Sequence, residues 1–322
     1  MRFFYIFFLI SIFSTYHFDA HASCGTLTLS IPSPVVSWSE SYISQQEDFT
    51  FSRSNAGSCT TFASFSAGGA GSGNYSSRRA VHTSDGSKQI SYQLYKVASL
   101  LSSRILREPP NVTSNNQVVL PSPGFSGGAS SRTGTYYIEV PQASATSPTV
   151  AKAGQYQDTF TVKVYDGNFS SGTVDNSYNV TITINVPIIA RLSLVDSGGA
   201  FNASDTSQTL NFGSLVTNAT LGFDMRAVTN AGYEIKFSSQ NDGVMKHTNP
   251  SVTTTIPYTA SVNGNEQSLV GSASVPISMV SVSGQTSLSG ANNPVVFKIG
   301  DASNKVAGSY SDNITVTMAT ID

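Results

Sequence analysis

Apolar and polar residues alternate along most of this chain with a period of two, the pattern of strands that bury one face. Leu27, Leu29 and Ile31 begin it, and Pro32 and Pro34 stop it, because proline cannot donate to a strand ladder. Phe49 to Phe51 and Phe62 to Phe65 continue it on either side of an Asn55-Ala56-Gly57 turn, followed by Ile90 to Val97 and Tyr136 to Val140. Tyr178, Val180, Ile182, Ile184 and Val186 then alternate cleanly. Beyond Pro187 the strand-like runs are Leu192 to Leu194, Leu210 to Phe212, Leu221 to Met225, Tyr233 to Phe237, Ile256 to Ala260, Val275 to Val282 and Val295 to Ile299. No capped amphipathic helix is predicted, and Val97 to Arg107 has room for about one or two turns.

One stretch occurs twice. Ala153-Gly154-Gln155-Tyr156-Gln157-Asp158 leads into alternating Phe160, Val162 and Val164, and Ala307-Gly308-Ser309-Tyr310-Ser311-Asp312 leads into Ile314, Val316 and Met318. An internal repeat of this kind predicts two similar units in tandem. They divide at Pro187, giving units 23–187 and 188–322. The first unit has the Tyr178–Val186 strand after its repeat to complete its own sheet, and the second has none after Met318. Many short strands separated by Gly, Pro and Asn turns predict an all-β protein of two tandem immunoglobulin-like β-sandwiches.

The start of the chain adds a compartment. Met1-Arg2, the apolar run Phe3 to Phe13 and the small-x-small Ala20-His21-Ala22 read as a secretory signal peptide over 1–22. No later stretch reaches the apolar length of a membrane-spanning helix. Cys24 and Cys59, both in the first unit of an exported chain, are expected to form a disulfide, whose loop closure stabilises by about 4 kcal/mol. Charged residues make up 11% of the chain, with a net charge of −2. The first unit carries ten Lys and Arg against nine Asp and Glu, the second six against nine. Such balance makes neither nucleic acid nor an anionic membrane an obvious partner.

Candidate chemistry is thin. His82 and His247 are the histidines left after the signal peptide, one in each unit. Gly124-Phe125-Ser126-Gly127-Gly128 satisfies the Gly-x-Ser-x-Gly expression of a hydrolase, but Pro121 and Pro123 precede it and no helix is predicted after it, so a glycine-rich loop is the better reading. Gly68 to Gly73 lacks the Lys-Ser/Thr of a phosphate loop. Asp166, Asn168, Asp175 and Asn176 lack the ordered spacing of a calcium loop and read as turn chemistry. No catalytic residue, metal site or cofactor is expected. The apolar residues Leu100, Leu101, Ile105, Leu106, Leu120 and Phe125, in the long connection before Tyr136, either pack beneath it as a satellite core or project as a binding surface.

The repeated Ala-Gly-x-Tyr-x-Asp with its alternating strand resembles the close of spore coat protein U domains, the module of archaic chaperone-usher pilus subunits. Ile90-Ser91-Tyr92-Gln93-Leu94-Tyr95 is similar to the family's mid-domain strand, and Leu210-Asn211-Phe212-Gly213 to its early Phe-Gly turn. The resemblance implies pilin-type sandwiches that lack a strand. It also implies as partners a periplasmic chaperone, an outer-membrane usher and an adjacent subunit that donates the missing strand. Tyr310, Ile314, Val316 and Met318 would then lie at the acceptor groove of the second unit. Cys24 follows the expected cleavage site too closely to leave a donor segment, so the chain is expected to end a fibre, at the cell surface. Two-domain tip subunits of this family carry exposed hydrophobic loops. The expected function is therefore a pilus-tip adhesin for abiotic or host surfaces, acting in biofilm formation. A coat or surface-layer protein and an exported hydrolase are the alternatives.

Overall fold

The computed structural model describes residues 23–70, 74–141 and 151–321. The signal-peptide reading of 1–22 and part of the Gly68 to Gly73 run lie outside the described residues. In the first unit the strands are β1 (Leu27–Ser30), β2 (Val35–Ser37), β3 (Ile43–Arg53), β4 (Thr61–Phe65), β5 (Arg79–His82), β6 (Asp85–Ser91), β7 (Gln93–Tyr95), β8 (Ser131–Val140), β9 (Gly154–Asp166) and β10 (Thr173–Val186). The second unit holds β11 (Ala190–Val195), β12 (Thr220–Thr229), β13 (Gly232–Ser239), β14 (Val244–His247), β15 (Thr255–Val262), β16 (Asn265–Ser268), β17 (Ile277–Val282), β18 (Ala291–Ile299), β19 (Tyr310–Ser311) and β20 (Ile314–Ile321). Each unit is a β-sandwich. The first stacks a β1-β3-β8-β7 sheet on a β2-β10-β9-β5-β6 sheet with β4 also on β9; the second stacks β11-β12-β18-β15-β14-β19 on β17-β13-β20.

The alternation in sequence becomes alternation of faces. In the first core, Phe49, Phe51, Phe65, Tyr136 and Phe160 meet with ring centroids 5.0–6.3 Å apart. Phe223, Phe237, Tyr258 and Phe297 do the same in the second. Full burial of each such ring contributes about 1.5–3 kcal/mol.

The two copies of the repeat meet different fates. One edge of β9 is paired by β10 from Gly154 to Asp166, and the other by β5 and then β4. The far edge of β10 runs parallel to β2, Thr183 to Asn185 against Val35 to Ser37, which extends the same sheet by one more strand. In the second unit the repeat is split. Tyr310 and Ser311 of β19 pair with His247 and Lys246 of β14, as Tyr156 and Gln157 pair with His82 and Val81. β20 then pairs with β13 as β9 pairs with β4. Among the described residues nothing pairs with the other edge of β20.

One predicted strand differs. Leu210 to Phe212 is not a strand: Asn211 Oδ1 accepts the Gly213 N–H at 2.9 Å, and this local turn competes with extension. Leu210 and Phe212 pack half-buried on the second core as irregular chain. Val97 to Arg107 holds a 3-10 turn, Ser102–Arg104.

Cys24 and Cys59 form a disulfide. It ties the start of β1 to the chain entering β4, where Asp166 Oδ2 also accepts the Cys24 N–H at 3.1 Å. The corresponding turn of the second unit uses hydrogen bonds instead. The buried Asn230 accepts the Ile189 N–H at 2.7 Å through Oδ1 and donates Nδ2–H to Pro187 O at 2.9 Å, while its carbonyl takes the Ala153 N–H at 3.0 Å. Val228 packs into the first unit's core and Arg191 pairs with Glu40 at 2.6 Å, so this turn clasps the junction from both sides. Reduction of the disulfide should lower the stability of the first unit by about 4 kcal/mol and leave the second unit's transition in place, measured by urea titration with and without reductant.

Candidate functional site

The shared order of residues within the repeat has a physical cause in each copy. His82 Nε2 donates to Ala153 O at 3.0 Å while its Nδ1 accepts the Ser84 N–H at 3.2 Å. Its ring stands edge-on to Tyr156 at 4.9 Å. His247 repeats the arrangement with Ala307 O at 3.3 Å, the Asn249 N–H at 2.9 Å and Tyr310 at 5.0 Å. Gly154 and Gly308 sit directly beneath these imidazoles at φ +131° and +150°, and a Cβ at either would fall 2.4 or 1.9 Å from Nε2. Glycine is therefore required both for backbone shape and for room.

The aspartate of the motif anchors the facing strand and loop. Asp158 Oδ2 accepts the Tyr92 hydroxyl at 2.7 Å, and Oδ1 accepts the Gly69, Ala70 and Thr159 N–H groups. In the second unit Asp312 takes the Tyr258 and Ser239 hydroxyls on Oδ2 and the Asn241 and Asn313 N–H groups on Oδ1. Burial, and then the neighbouring aspartate, push both tyrosine hydroxyls far above their ordinary pKa. Sequence reasoning left His82 and His247 without a role. The signal was present, since each unit keeps one histidine to match its one Ala-Gly-x-Tyr.

Beyond the aspartate the two units part. Phe160, Val162 and Val164 are 1%, 0% and 0% exposed beneath β10. Ile314, Val316 and Met318, at the equivalent places on β20, are only half-buried against the second core, as is Tyr310. Ile314, Val316 and Met318 thus line the unpaired edge of β20, while Tyr310 stands on β19 in the other sheet, paired with His247. β11 lies against β20 from the opposite sheet. Its own outer edge is touched by the 205–208 segment, through Leu194 N–H to Asp205 O at 2.7 Å and Gln208 Nε2–H to Leu194 O at 2.9 Å.

The connection before β8 divides between the two readings of its apolar residues. Ile105, Leu106 and Phe125 are buried and cannot present a surface, and Leu120 packs half-buried on a satellite cluster of Phe62, Val112, Val118 and Tyr165. This corrects the expectation that all six candidates could project. At Leu106 the fully buried Arg78 holds the connection inward, its guanidinium donating to Leu106 O and Ser66 O at 2.8 Å and to the Gln93 carboxamide. Burial pulls the Arg78 pKa down to about 10, against the favourable charges of Tyr92, Tyr75 and Asp158. Leu100 and Leu101 alone remain in solvent, at 70% and 59%.

These two leucines do not sit at the end of the unit remote from the junction. That end is built from the disulfide, the Asn55–Gly57 turn and the Gly124–Ala129 loop, plugged by Arg53, which donates to Gly57 O, Gly127 O and Ala129 O under the Phe125 ring. The leucine loop leaves the lateral edge of the sheet beside β7, braced by the Ser99 N–H on buried Glu139 Oε1 at 2.9 Å.

The remaining candidates have structural partners. Asp166 receives Ser23 and Cys24, and Asp175 and Asn176 tie β10 to Leu27 of β1. Ser126 lies exposed on an irregular loop, with no helix behind it. Among the described residues no group of His, Cys, Asp and Glu gathers as a metal site.

Residues 36–163 match the family model of the Spore Coat Protein U domain. No curated protein matches the chain. Among solved structures, the chain is similar to a chaperone and tip adhesion subunit pre-assembly complex of archaic chaperone-usher Csu pili from Acinetobacter baumannii, at 15% identity over 90% of this chain and 99% of that one, TM-score 0.42. It is also similar to the CupB6 tip adhesin of Pseudomonas aeruginosa, at 14% identity over 91% and 94%, TM-score 0.39. A pilin subunit, CooA, of enterotoxigenic Escherichia coli covers 50% of this chain and 98% of its own at 13% identity, TM-score 0.30.

Gly154→Ala should destabilise the first unit by about 1–3 kcal/mol, because it forces the His82 ring off its carbonyl and strains the backbone. Gly86→Ala, where a Cβ meets nothing within 4 Å, serves as the control in the same urea titration.

Proposed function

We propose that this protein is an adhesive subunit of an archaic chaperone-usher pilus, placed at the free end of the fibre and acting in attachment and biofilm formation. One observation carries the reading: among the described residues no strand pairs with the edge of β20 that corresponds to the edge of β9 taken by β10. The Spore Coat Protein U match of the first unit supports it, since domains of this family are assembled by strand exchange. In this reading the second unit, residues 188–322, is the acceptor. A periplasmic chaperone fills the edge of β20 first, and the adjacent subunit then replaces it at the outer-membrane usher. The first unit, residues 23–187, has its strand in cis and is free to make the contact, through the Leu100–Leu101 loop. No chemical turnover is assigned to the chain.

β10 is the template for what the second unit accepts. It sets Val180, Ile182 and Ile184 opposite Phe160, Asp158 and Tyr156, and the equivalent positions on the acceptor are Ile314, Asp312 and Tyr310. A donor therefore needs apolar side chains at alternate positions, lying along the free edge of β20. Each ladder hydrogen bond contributes about 1 kcal/mol, and each apolar side chain carried from half-buried to buried about as much. The gross gain over such a strand is on the order of 5–10 kcal/mol before the cost of ordering the donor. The unpaired edge is an aggregation hazard until it is filled.

Ile314→Asp, Val316→Asp and Met318→Asp should each cut recovery of the chaperone complex from the periplasm about tenfold, by setting a carboxylate against the core. Thr315→Asp, on the outward face, should leave recovery unchanged. Equal recovery of all three core-facing variants would remove the acceptor role. Gold-labelled antibody to the first unit should decorate only the free ends of thin fibres on intact cells. Label along the shafts would refute the terminal position, and label spread over the cell body would point to a coat protein.

A further inference from the structure

Leu100 and Leu101 are presented by ordered backbone. Lys96 N–H donates to Arg104 O at 3.1 Å, Arg104 N–H to Leu101 O at 2.9 Å, and Leu101 N–H to Ser99 Oγ at 3.3 Å. With Ser99 held on Glu139, the turn has little freedom left to lose when the leucines make contact.

The base of the same loop is cationic. Lys96 and Arg104 are joined there through backbone, and neither forms an ion pair among the described residues. The Lys96 ammonium rests on a neutral carbonyl, Asn115 O, at 2.6 Å. Its pKa is lowered, first by burial and then by the charge of Arg104. The nearest acid on the neighbouring strand, Glu139, is buried and faces Ser99, and Glu108 is occupied by Lys163. Tyr42, 43% exposed, lies beside the loop, its hydroxyl pushed up to about 12 by burial and then by Glu139.

We propose that this loop docks on a membrane surface bearing anionic lipids, with Leu100 and Leu101 entering the acyl boundary and Lys96 and Arg104 resting on the lipid phosphates. The order of groups is that of an interfacial segment: apolar tip, aromatic at headgroup depth, cations behind. A purely apolar surface would use the leucines but give the cations nothing to neutralise them. The overall balance of charge conceals the site, because lipid electrostatics act only within about 8 Å at physiological salt. Each cation near an anionic bilayer is worth about a fivefold gain. A single loop is therefore a weak anchor, and strength comes from many copies presented together.

The proposal rests on the reading that the first unit makes the contact, and its test is independent of fibre assembly. The purified full chain would be floated with vesicles of phosphatidylcholine alone or mixed with phosphatidylglycerol. It should partition about tenfold more strongly to the mixed vesicles, and high salt should erase the difference. Leu100→Ser with Leu101→Ser should abolish binding to both. Lys96→Gln with Arg104→Gln should remove only the preference for the anionic lipid. Equal partition of the native chain onto both vesicle types, or undiminished binding by the leucine variant, would overturn the proposal. Neither variant should change recovery of the chaperone complex, so failure of the acceptor edge would be seen separately from failure of this loop.

Discussion

Everything in this protein is arranged around the rule that a strand edge must be paired, covered or filled. A sandwich whose two sheets meet along a seam leaves there a row of backbone groups and the flanks of its core residues. In the first unit β10 satisfies both demands. It pairs along the whole of β9, turns Val180, Ile182 and Ile184 into the core, and reaches β2 on its far side. Its side chains extend the closure further, since the Tyr178 hydroxyl accepts the Leu29 N–H at 3.1 Å and Asn176 donates to Leu27 O. In the second unit the same core is built up to the same seam and left there.

The His-Gly-Tyr-Asp station explains why the two units can differ so much at the seam and still share a fold. Imidazole over glycine fixes where the repeat strand starts, and the aspartate fixes where it turns into the sheet by collecting N–H groups from the opposing loop. None of these contacts involves β10. The strand's position is therefore set from the side away from the seam, so an empty seam does not dislodge β20. A preformed edge of this kind would spend little on rearrangement were a strand to pair with it, leaving more of the interaction energy for binding.

The strands, the repeat and the division of the seam were legible in the sequence because period-two alternation is long and clean in Phe160–Val164, Tyr178–Val186 and Ile314–Met318. The strand that carries Ile314, Val316 and Met318 was legible for the same reason. β5, β14 and β19 were not, since runs as short as Arg79–His82 or Tyr310–Ser311 carry no period and are fixed by the histidine station instead. The Leu100 to Phe125 connection shows the other limit. Its apolar residues declare only that burial is favourable, and which of them obtain it depends on partners distant in sequence, such as Arg78 on Leu106 O and Arg53 beneath Phe125. Leu210 to Phe212 read as a strand because alternation over so few residues does not register the Asn211 turn that overrides it.

The disulfide and Asn230 occupy matching turns and divide a single mechanical task. In the first unit a covalent bond fixes the start of β1 at the end remote from the junction. In the second, Asn230 fixes the start of β11 by hydrogen bonds that also hold Pro187 and Ala153 of the first unit. A cysteine pair there would have stapled the second unit to itself alone. Asn230 instead reaches two backbone groups of the first unit, Pro187 O through its side-chain N–H and the Ala153 N–H through its own carbonyl, and being buried it would leave donors and acceptors unpaired if the units swung apart, a cost of about 1–3 kcal/mol for each. Load applied at the open edge of β20 enters β13, and β13 begins two residues after Asn230. Force on β20 is thus delivered to the clasp and from there to the first unit.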